Sequence, residues 1–159
     1  MTAVIDSSPL IVLGKVRRLD LLSTLYRDIV MPPAVVDEVL AKSSLVSADL
    51  REFVERSEIR AVQDVRLVQT LIVDLGRGEA EAIAVTAEIG EALLVMDDFD
   101  GRRVARALGL QVTGVLGVLV EAKYRGVVSG VRPILEAVSG EGFWLSESLR
   151  RTVLDAVGE

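Results

Sequence analysis

The stretch Ala92-Leu93-Leu94-Val95-Met96-Asp97-Asp98 decides the fold. Five apolar residues run without alternation and end at two acids, the pattern of a strand buried on both faces of a parallel sheet. The chain opens on a shorter run of the same kind, Thr2-Ala3-Val4-Ile5-Asp6, which also stops at an acid. Ile29-Val30-Met31 is a further strand, closed by Pro32-Pro33. Ile59 to Val62 reads as an edge strand and Gln111-Val112 as a short fifth. Between them lie helical patterns. Leu10 to Leu13 follows Ser7-Ser8-Pro9, and Leu19 to Leu25 follows a basic connector. Further helices are expected at Ala34–Ala41, from a Ser47 cap to about Arg56, and over Asp64–Val73. Gly76-Arg77-Gly78 reads as a tight turn feeding the strongest helix, Glu79–Ile89. Helices are also expected over Gly101–Leu108, from a Thr113 cap to Tyr124, over Val131–Val138 and over Ser146–Val157. Strands alternating with helices predict a three-layer α/β/α fold around a parallel sheet of about five strands. In such sheets ligands bind at the carboxyl ends of the strands, and two strands here end in Asp.

Composition narrows the chemistry. At 159 residues the chain has the size of one domain, residues 1–159. Hydrophobic residues at 50% and charged residues at 26% exclude a disordered chain. Mean hydropathy is high, +0.43, yet the longest apolar candidate, Val112 to Val120, is far too short for a bilayer and carries two glycines. The opening MTAVIDSSP lacks a basic start and carries Asp6 where a secretory signal needs apolar residues, so a cytoplasmic location is expected. The sequence has no Cys, which excludes disulfides, zinc thiolate sites and thiol nucleophiles. It has no His, which removes Ser–His–Asp catalysis and imidazole metal sites. Any bound metal must be held by oxygen, favouring Mg²⁺, Mn²⁺ or Ca²⁺. The net charge of −6 argues against a strongly basic nucleic-acid binder unless a divalent cation supplies positive charge.

Asp6 and Asp97 are the first site candidates. If their strands are neighbours, both carboxylates point into one crevice, where repulsion and burial are costly and a divalent cation relieves both. Phosphate is the natural substrate of such a site. Asp after a strand is equally a common turn or cap residue. Helix periodicity adds two undecided pairs. Asp37 and Glu38 flank the Val35/Val36/Val39/Leu40 face on opposite sides. Glu79 and Glu81 flank Ala80/Ile83/Ala84/Ala87 in the same way. Glu79 also suits a helix start electrostatically.

Four motifs then occur in order: Asp6-Ser7-Ser8-Pro9-Leu10, Pro32-Pro33-Ala34-Val35-Val36-Asp37-Glu38, the Gly-Glu-Ala-Glu-Ala segment at 78–82, and Leu94-Val95-Met96-Asp97-Asp98 with the arginines that follow. Over roughly Val4 to Leu149 the chain resembles PIN-domain proteins, the fold of the toxin ribonucleases of VapBC-type toxin–antitoxin pairs, and in particular an uncharacterised prokaryotic branch of them. The resemblance implies four acids around one or two Mg²⁺ or Mn²⁺ ions: Asp6, Glu38, Glu79 and Asp97. It implies a role for Ser8 in orienting Asp6 or a metal-bound water. It implies RNA phosphodiester hydrolysis, a homodimer and an antitoxin partner that fills the acidic groove. The sequence departs from the family twice. Glu79 stands where many PIN toxins have Asp, and Phe99 stands where many relatives carry an acid or Asn, so Asp98 or Asp100 would have to substitute as a ligand. A catalytically weak PIN-like binding module is the competing expectation. A dehalogenase-type phosphatase is disfavoured because it needs Asp-x-Asp, and a phosphate-receiver domain because no suitable Lys follows the last strand.

Arg102 and Arg103, with Arg106, follow the fourth acid and are candidates to hold the RNA backbone. Lys15, Arg17 and Arg18 are expected near the same strand ends, though as connector residues. Aromatics at 4% leave no evident base-stacking surface, and Trp144 reads as a core or interface anchor. The high hydropathy suggests partner-covered apolar surface, with Leu10–Leu25 and Val46–Val54 as the places for it.

Overall fold

The computed structural model describes residues 1–42 and 47–159. Its sheet contains β1 (Thr2–Ile5), β2 (Asp28–Met31), β3 (Glu58–Ile59), β4 (Ala92–Val95) and β5 (Gln111–Thr113), all parallel, in the order β3-β2-β1-β4-β5. Val4, Ile5, Leu94, Val95 and Met96 are fully buried, as unbroken apolar runs in a doubly covered parallel sheet must be. Among the described residues ten helices cover the two faces. They are α1 (Ser7–Lys15), α2 (Asp20–Leu25), α3 (Pro33–Ala41), α4 (Ala48–Arg56), α5 (Val65–Leu71), α6 (Arg77–Ile89), α7 (Phe99–Ala107), α8 (Val115–Tyr124), α9 (Arg132–Gly140) and α10 (Glu147–Ala156). The PIN-like α/β/α architecture is the one expected.

The chain winds from β1 outward to β2 and β3, then returns to the other side of β1 for β4 and β5. The gap between β1 and β4 is therefore the topological switch point, where open α/β sheets bind ligands. Ile5 pairs with Val95, and the Asp6 amide donates to the Val95 carbonyl at 3.0 Å. The ladder thus carries Asp6 and Asp97 to adjacent strand ends.

Several boundaries differ from the sequence reading. β3 is Glu58–Ile59 and not Ile59–Val62, because β2 ends at Met31 and Pro32 has no N–H to extend the ladder. The Arg60 amide makes the last bond, to the Met31 carbonyl at 2.9 Å. Helix α6 starts at Arg77, with Gly76 as its N-cap and Gly78 already helical, because the Glu79 carboxylate reaches back to the Gly76 amide at 2.9 Å. Helix α7 starts at Phe99, since Asp98 caps it by accepting from the Gly101 amide at 2.8 Å. Thr113 is the last residue of β5, so Gly114 takes the cap of α8.

Most apolar residues of the two segments expected to meet a partner face the core, while Val12, Val16 and Phe53 are half-buried. Leu10, Leu13, Leu21 and Leu22 are fully buried, as are Leu50 and Val54 of α4. Val46 lies outside the described residues.

Candidate active site

Asp6 is the N-cap of α1 and is only 2% exposed, yet its side chain does not cap the helix and its Oδ1 has no hydrogen-bond partner. Asp97 is half-buried beyond β4. Its Oδ1 accepts from the Val115 amide at 2.9 Å, and its buried Oδ2 is also without a partner. Two orphaned carboxylate oxygens at one switch point are costly to bury without a cation or proton.

The helices supply the other two acids and separate each ambiguous pair. On α3, Asp37 is exposed and Glu38 turns inward. Glu38 Oε2 accepts from the Ser7 hydroxyl at 2.9 Å and Oε1 from the Gly78 amide at 3.0 Å. That approach depends on Gly78 having no side chain, because a Cβ there would stand 2.5 Å from Glu38 Oε1. On α6, Glu81 is buried but faces away from the crevice. It accepts from the Ala34 amide at 3.0 Å, at the start of α3, and from Arg77 at 3.2 Å, which makes it a support for that helix terminus. Glu79 belongs to the crevice.

The electrostatics record the convergence. Burial raises the Asp6 pKa from 3.8 to about 7; the Ser7 amide opposes the shift, and the nearby charges of Glu79, Glu38 and Asp97 add to it. Burial raises Glu79 as well, against the Gly76 amide, with Asp98, Glu38 and Asp100 contributing. Asp97 is raised by burial, and the Val115 amide and Arg102 oppose this. Asp98 and Asp100 are exposed, the first spent on capping α7 and the second 3.6 Å from Arg103. The ion pairs nearest the cluster involve Glu81 and Asp100; among the described residues none of the four cluster acids is paired with an arginine. They share one crevice but not one tight sphere: among the described residues no three acids already form a metal-ligand set. The donor set nonetheless fits a hard divalent cation. It consists only of carboxylates, with two oxygens buried and unsatisfied, and Mg²⁺ needs only one or two carboxylates because it keeps waters and binds substrate phosphate.

The flanking residues divide. Arg102 is half-buried, donates from Nη1 to the Met96 carbonyl at 3.0 Å, and lies close enough to Asp97 to lower its pKa. Arg103 is exposed. Lys15, Arg17 and Arg18 are not at the strand ends. Lys15 ends nine-residue α1 and Arg17 and Arg18 come after it, about 13 Å along its axis from Asp6, and Arg17 and Arg18 face Asp49 and Asp20. Ser8 is exposed, and the hydroxyl that touches an acid is that of Ser7. Nothing in the sequence separates the two serines, since helix phase decides which one meets α3. Trp144 is no core residue, being 82% exposed.

A five-stranded parallel sheet wound outward on both sides of β1, with helices on both faces, is the architecture of a PIN domain, a nuclease fold. The chain matches the family described as "DUF3368: PIN domain" over residues 2–159 and belongs to it. It is also similar to a solved structure, a PilT N-terminus domain protein, SSO1118, from the hyperthermophilic archaeon Sulfolobus solfataricus P2. The two are 27% identical with a TM-score of 0.55, and the match covers 77% of this chain and 93% of that one. No curated protein matches the chain. PIN domains are generally nucleases that use divalent metal ions. No described helix is long and apolar enough to cross a membrane.

Proposed function

We propose that this protein is a Mg²⁺- or Mn²⁺-dependent endoribonuclease and the toxin of a toxin–antitoxin pair. The observation that carries the nuclease reading is the pair of buried, unpartnered carboxylate oxygens, Asp6 Oδ1 and Asp97 Oδ2, at the β1–β4 switch point.

Asp6 and Asp97 are the residues to hold the cation directly, and Glu38 and Glu79 complete the negative pocket. When bound, the cation supplies Lewis-acid stabilisation of the phosphodiester and lowers the pKa of water. Glu38 is fixed by Ser7 and Gly78, so its carboxylate keeps one orientation. Glu79, whose proton affinity is raised by burial and by neighbouring acids, is suited to take the proton of an attacking water. Arg102 offers its guanidinium to a phosphate oxygen beside Asp97.

Purified protein should cleave single-stranded RNA only with Mg²⁺ or Mn²⁺, and Asp6→Asn should abolish cleavage and relieve growth arrest on expression. Cleavage that survives Asp6→Asn overturns the assignment. The toxin role adds a second requirement: a small protein encoded beside it must restore growth. The binding-module alternative draws on Phe99 and on the amide bonds that already occupy Glu38 and Glu79; it predicts RNA binding with no turnover in either metal.

A further inference from the structure

Beside Asp97 opens a cavity of about 480 Å³, a size that accepts a nucleotide-scale ligand. Asp97, Arg102, Gly114, Gly117, Phe143 and Trp144 are among the residues that line it, and Trp144, 82% exposed, stands at its rim. Gly114 keeps the space beside Asp97 open: a Cβ there would collide with both the Asp97 carboxylate and the Arg102 guanidinium. Among the described residues Arg102 donates one hydrogen bond, to the Met96 carbonyl, and has no ion pair, so a half-buried cation faces the cavity with donors to spare.

The rim is built to present an aromatic face. Trp144 lies in the connection between α9 and α10, after the turn at Gly142. Phe143 and Leu145 on either side pack against the core, and the Phe143 amide is tied to the Val138 carbonyl at 3.1 Å. Both neighbours anchor inward while Trp144 is held outward, 82% exposed. An indole left in water at the mouth of a cavity containing an unpaired guanidinium offers a stacking surface and an anion site together. That combination suits an unstacked nucleotide.

We propose that Trp144 is a base-stacking platform for single-stranded RNA, holding a base beside the phosphate that Arg102 engages next to Asp97. The inference rests on the nuclease reading for the identity of the polymer, and it adds a subsite that the four acids do not define. A duplex, whose bases are already stacked, would gain nothing from the indole.

Trp144 is the sole tryptophan of the chain, so its emission reports on the subsite directly. Short oligouridylate is titrated into the Asp6→Asn protein, which keeps the RNA intact, with binding followed in parallel by anisotropy of labelled RNA. The expected result is saturable quenching by the single strand and none by a duplex of similar length. Trp144→Ala should weaken single-strand binding about 5- to 150-fold, the range of one lost base stack, and Trp144→Phe should recover most of it. Emission that stays unchanged at RNA concentrations saturating the anisotropy, or Trp144→Ala binding as tightly as its parent, overturns the proposal. The nuclease reading is scored separately, by wild-type cleavage on a gel: cleavage without quenching removes the platform alone, and quenching without cleavage removes the nuclease alone.

Discussion

Replacing Asp6 by Asn should shift the stability of the metal-free protein with pH, from a loss near pH 4 to a gain near pH 8. The folded protein holds the Asp6 proton up to about pH 7, whereas the unfolded chain releases it near 3.8. Because the folded pKa is raised, this group's contribution is fully present below pH 3.8. It declines as pH rises and is lost by the time pH passes about 7. The gap corresponds to on the order of 4 kcal/mol. Asp6→Asn removes that pH-dependent loss, at the cost of a buried amide donor worth about 1–3 kcal/mol. The variant should therefore be less stable than wild type near pH 4 and more stable by about 1–3 kcal/mol near pH 8, with the curves crossing between. Urea denaturation of both proteins in EDTA, from pH 4 to 8, measures the difference directly. Adding Mg²⁺ at pH 8 should raise the wild-type Tm, because the cation binds only the folded state, and should leave Asp6→Asn nearly unmoved. Parallel stability curves across the whole range, or equal Mg²⁺ stabilisation of the two proteins, would show that Asp6 is neither destabilised by burial nor part of a cation site.

Three further outcomes are expected. Gly78→Ala puts a methyl group into the Glu38 carboxylate, so cleavage should fall about 100-fold while Tm moves by only a few degrees; unchanged kcat would show that Glu38's position does not matter. Glu81→Ala leaves the Ala34 amide at the start of α3 without its partner and should cost about 1–3 kcal/mol in denaturant unfolding, whereas Glu79→Gln should remove activity with no such loss. Arg102→Ala should raise KM for RNA about 10- to 100-fold, as expected for a lost charged hydrogen bond, while Arg103→Ala, which breaks only a surface contact to Asp100, should change KM less than twofold.

How much of this was legible beforehand depends on the kind of signal. The strands at 2–5 and 92–95 are unbroken apolar runs, and any chain of this length must bury them on both sides, so the parallel sheet followed from sequence. The acid closing each run marked the candidate site, because open parallel sheets bind ligands at the carboxyl ends of their strands. The choice between Glu38 and Asp37, and between Glu79 and Glu81, came only from family resemblance, because helical periodicity places both members of each pair beside the apolar face. Helix phase against neighbouring elements made the choice. Gly78 admits Glu38 while the start of α3 takes Glu81.

The same limit explains what was misplaced. Lys15, Arg17 and Arg18 follow Asp6 closely in sequence, but α1 carries them a helix length away. Trp144 reads from sequence as a core or interface anchor, and its exposure excludes the core, because Phe143 and Leu145 take the core and turn it outward. The sequence by itself determined which segments must be covered and which acids stand at their ends, since burial of apolar surface is read locally from hydrophobic pattern. Only the tertiary structure decided which acid of each helical pair turns into the crevice, because for Glu38 that depends on contacts between residues 31 and 40 positions apart that no local period encodes.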